Sequence, residues 1–239
     1  MRVSPGRCPC DNEHMTTLTP LSSIAEVDAA AAGRTVPREF LTLVRANPSS
    51  PALHSMRSDG GWNAWTLQEF ADQVAGAAAG LAAVDVCAGE RVLLMMRNRP
   101  DFHWFDAAAQ FLRATPVSIY NSSSPEEIQY LAGHAEARIA IVEDAGFLER
   151  ILKVRSELPA LERVYVLEPP EGPLPDGVFA AAELFGNGAA DLDALAAATE
   201  PGDIATLIYT SGTTGPPKGV MISQYNICLL YTSPSPRDS

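Results

Sequence analysis

The densest cluster of chemistry-bearing residues is the run Tyr209-Thr210-Ser211-Gly212-Thr213-Thr214-Gly215-Pro216-Pro217-Lys218-Gly219. Four aliphatic hydroxyls, three glycines and one lysine share this single short loop. Glycine lets the backbone approach an anion closely and take positive φ without a Cβ clash. Backbone N–H groups, hydroxyl donors and a lysine side by side are the means by which loops hold phosphates. The bland alternative is a Ser/Thr/Gly-rich hairpin connection with one exposed lysine. A plain turn, however, has no use for so many hydroxyls together with a lysine. The loop is therefore expected to cradle a nucleotide triphosphate.

The kind of cradle can be narrowed. A Walker loop needs glycine before its lysine and Ser or Thr after it, because that hydroxyl holds magnesium. Here Pro217 precedes Lys218 and Gly219 follows it, so the Walker pattern fails on both sides. A Rossmann fingerprint is absent too. What the run resembles, almost letter for letter, is the phosphate-loop signature of the adenylate-forming superfamily, which includes acyl-CoA synthetases, luciferases and peptide-synthetase adenylation domains. The resemblance reaches back to about Phe40 and is greatest to bacterial long-chain acyl-CoA synthetases.

The resemblance implies activation of a carboxylate by attack on the α-phosphate of ATP, then transfer of the acyl group to coenzyme A. The attacking group is already an anion, so such a step depends on charge stabilisation and positioning more than on a base. No catalytic residue is assigned. By resemblance, Thr210, Ser211, Thr213 and Thr214, with the backbone N–H groups of Gly212 and Gly215, would hold the β- and γ-phosphates. Lys218 would add a point charge that steadies the loop or the departing pyrophosphate. Which hydroxyl would meet Mg²⁺ is not legible. The small-molecule partners implied are a fatty acid, ATP with Mg²⁺, and coenzyme A. Alternatives are another adenylate-forming enzyme, such as an aryl-CoA ligase or a peptide-synthetase adenylation domain, or a non-catalytic nucleotide- or partner-binding module.

Stepping outward, the run Ile204 to Tyr209 leads into the loop as a central strand, and Val220-Met221-Ile222 leads out. Upstream, strands and helices alternate. Strands are expected at Arg91–Met96, Ala114–Tyr120, Arg138–Val142 and Arg163–Leu167, with helices at Asp101–Leu112, Ser124–His134 and Ala145–Leu158 between them. Such alternation implies an α/β fold, a mostly parallel sheet covered by helices. A strand's carboxyl end is where such sheets place ligands.

Thr66-Leu67-Gln68-Glu69 and Ser124-Pro125-Glu126-Glu127 are capping boxes that start helices. Ala52 to Thr66 reads as a hairpin turning at Asp59-Gly60-Gly61, preceded by a short helix around Phe40 to Val44. Gly76 and Gly80 permit close helix packing. Pro169 to Gly177 is a surface loop, and short helices are expected at Ala180–Phe185 and Leu192–Ala198.

Three regions follow. Residues 1–36 are expected to be irregular, with residues 1–14 upstream of a natural start at Met15. Residues 37–226 form the N-terminal part of the large AMP-dependent ligase domain. Residues 227–239 form a tail unlike the family, in which Tyr231-Thr232-Ser233 repeats three letters of the loop but is followed by prolines. Family members continue with an adenine-binding segment, a Tyr-Gly-x-Thr-Glu motif, a ribose-binding aspartate and a small C-terminal domain bearing a lysine. None is present in this sequence. The expectation is therefore that this fragment does not turn over alone and is poorly soluble because apolar sheet is left exposed.

A net charge of −12 argues against nucleic-acid binding, which calls for clustered Lys and Arg. With 46% hydrophobic and 19% charged residues the balance is that of a globular domain. No run approaches a membrane span and no secretory signal opens the chain. The expected location is cytoplasmic, with peripheral membrane contact left open. Cys8, Cys10 and His14 have the look of half a metal site without a second pair, so free thiols are expected. His54, His103 and His134 are expected to be surface or packed scaffold residues.

Overall fold

The computed structural model describes residues 23–210 and 216–232. Its first helix, α1 (Ile24–Ala31), starts at a capping box in which Ser23 and Glu26 exchange side-chain and backbone bonds. The expectation that residues 1–36 are irregular is thus corrected for this stretch. A Ser-x-x-Glu box ahead of an alanine run satisfies the first-turn donors and uses the best helix former. Next, α2 (Val36–Ala46) is capped by Thr35 and carries Pro37 in its first turn. The strands β1 (Pro51–Met56) and β2 (Trp62–Thr66) pair as the expected antiparallel hairpin. Thr66 and Glu69 then cap α3 (Leu67–Ala83).

From here strand and helix alternate: β3 (Arg91–Met95), α4 (Pro100–Phe111), β4 (Thr115–Ser118), α5 (Pro125–Ala135), β5 (Ile139–Asp144), α6 (Ala145–Val154) and β6 (Arg163–Glu168). The last expected turn of α6 tightens to a 3₁₀ turn at Arg155–Glu157. A short strand, β7 (Val178–Ala180), follows the Pro-rich loop, and the helix expected at Ala180–Phe185 is a 3₁₀ turn, Ala181–Phe185. Then come α7 (Leu192–Ala198), β8 (Ile204–Thr210), β9 (Lys218–Ser223) and α8 (Gln224–Thr232).

Seven strands form one sheet in the order β7-β6-β5-β3-β4-β8-β9. Every pairing is parallel except β8 with β9. The sequence pattern therefore gives the α/β class correctly, but β8 is not central. Among the described strands it stands one place from the edge that β9 forms. The strand order reverses around β3, where the crossover from β4 passes back to β5. β8 lies two places from that reversal, on the far side of β4.

Both faces of the sheet are covered because side chains alternate along a strand. On β3, Val92 and Leu94 point into the core shared with α3 and α4, whereas Leu93 and Met95 point into the core shared with α5 and α6. Gly80 shows how closely the layers meet: a Cβ there would lie 1.8 Å from the carbonyl oxygen of Leu184. No helix among the described residues is long and apolar enough to cross a membrane.

Candidate phosphate-binding hairpin

The antiparallel register of β8 and β9 sets Thr210 opposite Lys218 and Tyr209 opposite Gly219. Both ends of the hydroxyl- and glycine-rich loop are thereby brought together at the carboxyl end of β8, the end toward which β4 also runs. The connection has the hairpin topology of the bland alternative, carrying the residue set of a phosphate cradle. Thr210, Pro216 and Lys218 are exposed. Ser211, Gly212, Thr213, Thr214 and Gly215 lie outside the described residues. Gly219 has a packing reason to lack a side chain, since a Cβ would come 3.3 Å from the Tyr209 ring across the ladder.

The hairpin is anchored at both ends. At its base, Arg113 forms a two-pronged bond to Asp203, Nε to Oδ2 at 2.8 Å and Nη2 to Oδ1 at 2.9 Å. Thr115 donates to the carbonyl of Ile204 at 3.1 Å, and Thr206 donates to that of Pro116 at 3.3 Å. These side-chain bonds supplement the backbone pairing of β4 with β8, which aligns Val117 with Leu207.

Toward the loop end, Tyr209 and Pro217 of the hairpin rest on α5. The Ser124–Glu127 capping box and Pro125 start this helix, and its apolar residues Ile128, Leu131, Ala132 and Ala135 are buried. Tyr130 and His134, one turn apart, are left on the flank that meets β8 and β9 and stack at 5.7 Å between ring centroids. The Tyr130 hydroxyl donates to the carbonyl of Pro217 at 2.7 Å. His134 Nδ1 and the Tyr209 hydroxyl lie 2.9 Å apart, and that hydroxyl also sits 3.5 Å from the Leu131 carbonyl. Burial, then the nearby Tyr130 phenol, push the Tyr209 pKa up against the pull of Arg91. Tyr209 thus stays a neutral donor.

His134 is packed against the Tyr209 ring at 5.6 Å, as expected for a surface or packed scaffold residue. The Tyr130-His134 spacing was the available signal of their shared helix flank. His54 and His103 instead line a separate hollow of about 650 Å³ between the β1–β2 hairpin and α4. Cys87 and Cys228 are free thiols; Cys8, Cys10 and His14 lie outside the described residues.

A second open hollow, about 640 Å³, follows the flank of β8 and is lined by Arg91, Arg113, His134, Asp203, Tyr209 and Met221 among others. Thr210 and Lys218 do not line it. Among the described residues no group of three or more His, Cys, Asp or Glu side chains could hold a metal ion.

Comparison with known proteins places this hairpin in a family. The model of the AMP-binding enzyme family matches residues 40–236. A long-chain-fatty-acid–CoA ligase of Mycobacterium bovis is 34% identical over 170 residues, covering 71% of this chain and 28% of the relative. A long-chain-fatty-acid–CoA ligase of Bos taurus is 33% identical over 199 residues, covering 81% of this chain and 27% of the relative. The chain therefore spans less than a third of the length of these relatives.

Among solved structures, an anthranilate CoA ligase in complex with anthranoyl-AMP superposes with a TM-score of 0.68 at 24% identity, covering 83% of this chain and 36% of that one. The acetoacetyl-CoA synthetase of Streptomyces lividans gives 0.72 at 20% identity over 87% and 37%. These two likenesses establish the fold, an α/β sheet matching part of those larger chains. With the family model covering most of its length, signature loop included, the chain belongs to the AMP-binding enzyme family.

Proposed function

We propose that this chain is the N-terminal part of an acyl-CoA ligase that converts a fatty acid to its acyl-AMP and then to its coenzyme A thioester. The observation that carries this is the combination of the Thr210–Lys218 hairpin with 33–34% identity to long-chain-fatty-acid–CoA ligases. In this role Thr210, Ser211, Thr213 and Thr214, with the N–H groups of Gly212 and Gly215, hold the β- and γ-phosphates of ATP·Mg²⁺. Lys218 supplies the cation that balances charge on the leaving pyrophosphate. A net charge of −12 gives the rest of the chain no general attraction for a triphosphate, so local donors must do the holding. Work in the cytoplasm, with contact at a membrane surface where fatty acids partition, fits this activity.

The test is palmitate-dependent pyrophosphate release and palmitoyl-CoA formation by the native gene product, with Lys218→Ala as comparison. A loss of at least about tenfold on removing Lys218 is expected, in the range for a charge-assisted contact. Equal rates would refute the assignment. The 239 residues on their own carry the phosphate loop without the other family motifs. They are expected to release no more pyrophosphate than their Lys218→Ala form.

A further inference from the structure

The two prolines before Lys218 leave the outgoing limb of the loop short of hydrogen-bond donors, since neither Pro216 nor Pro217 has a backbone N–H. Carbonyl oxygens are what this limb can offer, and a protein donor that meets one ties the limb down where solvent would not. Tyr130 is that donor: its hydroxyl reaches the Pro217 carbonyl at 2.7 Å across 87 positions of sequence. Among the described residues it is the hydrogen bond that ties 216–219 to the body of the protein outside the β8–β9 ladder. The bonded carbonyl belongs to the peptide unit that joins Pro217 to Lys218. Its orientation, together with the pairing of Lys218 with Thr210, constrains the direction in which the lysine leaves the backbone.

Tyr130 is itself held. It stacks on His134 one helical turn further on, and His134 in turn meets Tyr209 on the incoming limb. One face of α5 thus carries both limbs of the loop. Resting on the phosphate-binding reading above, we propose that Tyr130 is a positioning residue for Lys218, fixing the Pro217–Lys218 peptide so that the ammonium group points at the phosphate chain. The locked φ of two consecutive prolines passes that constraint along the limb with little slack. Preorganisation of this kind improves anion binding because the lysine's own limb need not be fixed when the ligand arrives.

Tyr130→Phe keeps the ring and its stacking and removes one oxygen. Two measurements on the 239-residue chain decide the matter. In amide hydrogen exchange, the segment 218–223 should exchange about fivefold to tenfold faster in Tyr130→Phe at an unchanged melting temperature, the loss expected for one hydrogen bond. In titration with Mg²⁺-tripolyphosphate, Tyr130→Phe should weaken binding by a similar factor in the wild-type background and by less than about twofold when Lys218 is already alanine.

Unchanged exchange overturns the proposal. So does an equal weakening with and without Lys218, because Tyr130 would then act on the fold rather than on the lysine. Binding by the wild type with no change in Tyr130→Phe sinks the positioning role while leaving the phosphate loop intact. If the wild type binds no tripolyphosphate, the phosphate reading fails and the positioning role falls with it.

Discussion

Asp106 ends a chain of side-chain amides that runs through the interior to the base of the β8–β9 hairpin. Gln110 donates to the Asp106 carboxylate at 2.9 Å, Gln224 donates to Gln110 at 3.1 Å, and Gln224 accepts from the Val36 N–H at 2.9 Å. The chain ties α2 and α4 to the first residue of α8, directly after β9. Burial pushes the Asp106 carboxyl up from 3.8 to about 6, against the opposing bond from Gln110. Because the folded value lies above the unfolded one, folding favours the protonated form. The associated stability is complete below about pH 4 and is lost as pH rises through 6. Asp106→Asn keeps an acceptor for Gln110 without the charge. It should stabilise the protein by about 1 to 3 kcal/mol at pH 7.5 and by much less at pH 4. Urea melts at the two pH values measure this, and a pH-independent difference would contradict it. None of this was visible in the sequence, since Gln110 and Gln224 are 114 positions apart. The same holds for His134 and Tyr209, which meet over 75 positions. The Thr210-to-Lys218 run stands out in the sequence because its hydroxyls, glycines and lysine are contiguous.

At the scale of elements, α5 is the strut on which Tyr209 and Pro217, flanking the loop, rest, and its start depends on Ser124. Ser124→Ala removes the acceptor for the Glu127 N–H and should cost about 1 kcal/mol in a chemical melt. The loss should also raise exchange at the loop end of β9; an effect confined to the helix would contradict α5's role as support. Gly80 makes a harsher demand. A methyl group 1.8 Å from the Leu184 carbonyl cannot fit without separating α3 from the turn at Ala181–Phe185. Gly80→Ala should therefore lower stability by about 3 kcal/mol or more, despite alanine's better helix propensity. A neutral or stabilising result in the same melt would show that the two layers are not in close contact.

Elements were legible wherever a local rule governs them. The boxes at Thr66 and Ser124 start α3 and α5 as their residues dictate. The box at Ser23 is equally local, but it opens a stretch whose alanines carry no apolar periodicity of their own. A three-residue strand such as β7 has too little pattern of its own, being defined by its pairing with β6. The off-centre place of β8 is a matter of lateral order, which hydrophobic periodicity does not encode.

At the scale of the whole molecule, the β8–β9 end of the sheet presents apolar surface among the described residues. Ile208 is 49% exposed, Val220 42% and Met221 66%, on the last two strands of the sheet. An open strand edge with apolar side chains invites association between copies. The 239-residue chain should therefore associate as its concentration rises. Met221→Glu should shift sedimentation toward the monomer, and no shift would place the contact elsewhere.

The central claim is that the hairpin around Lys218 grips a triphosphate. Its most direct test is an amide chemical-shift map of the chain titrated with ATP·Mg²⁺. Saturable shifts concentrated at residues 210–219, weakened at least about tenfold by Lys218→Ala, are the predicted result. Shifts that avoid that segment, or that persist unchanged without the lysine, would contradict it.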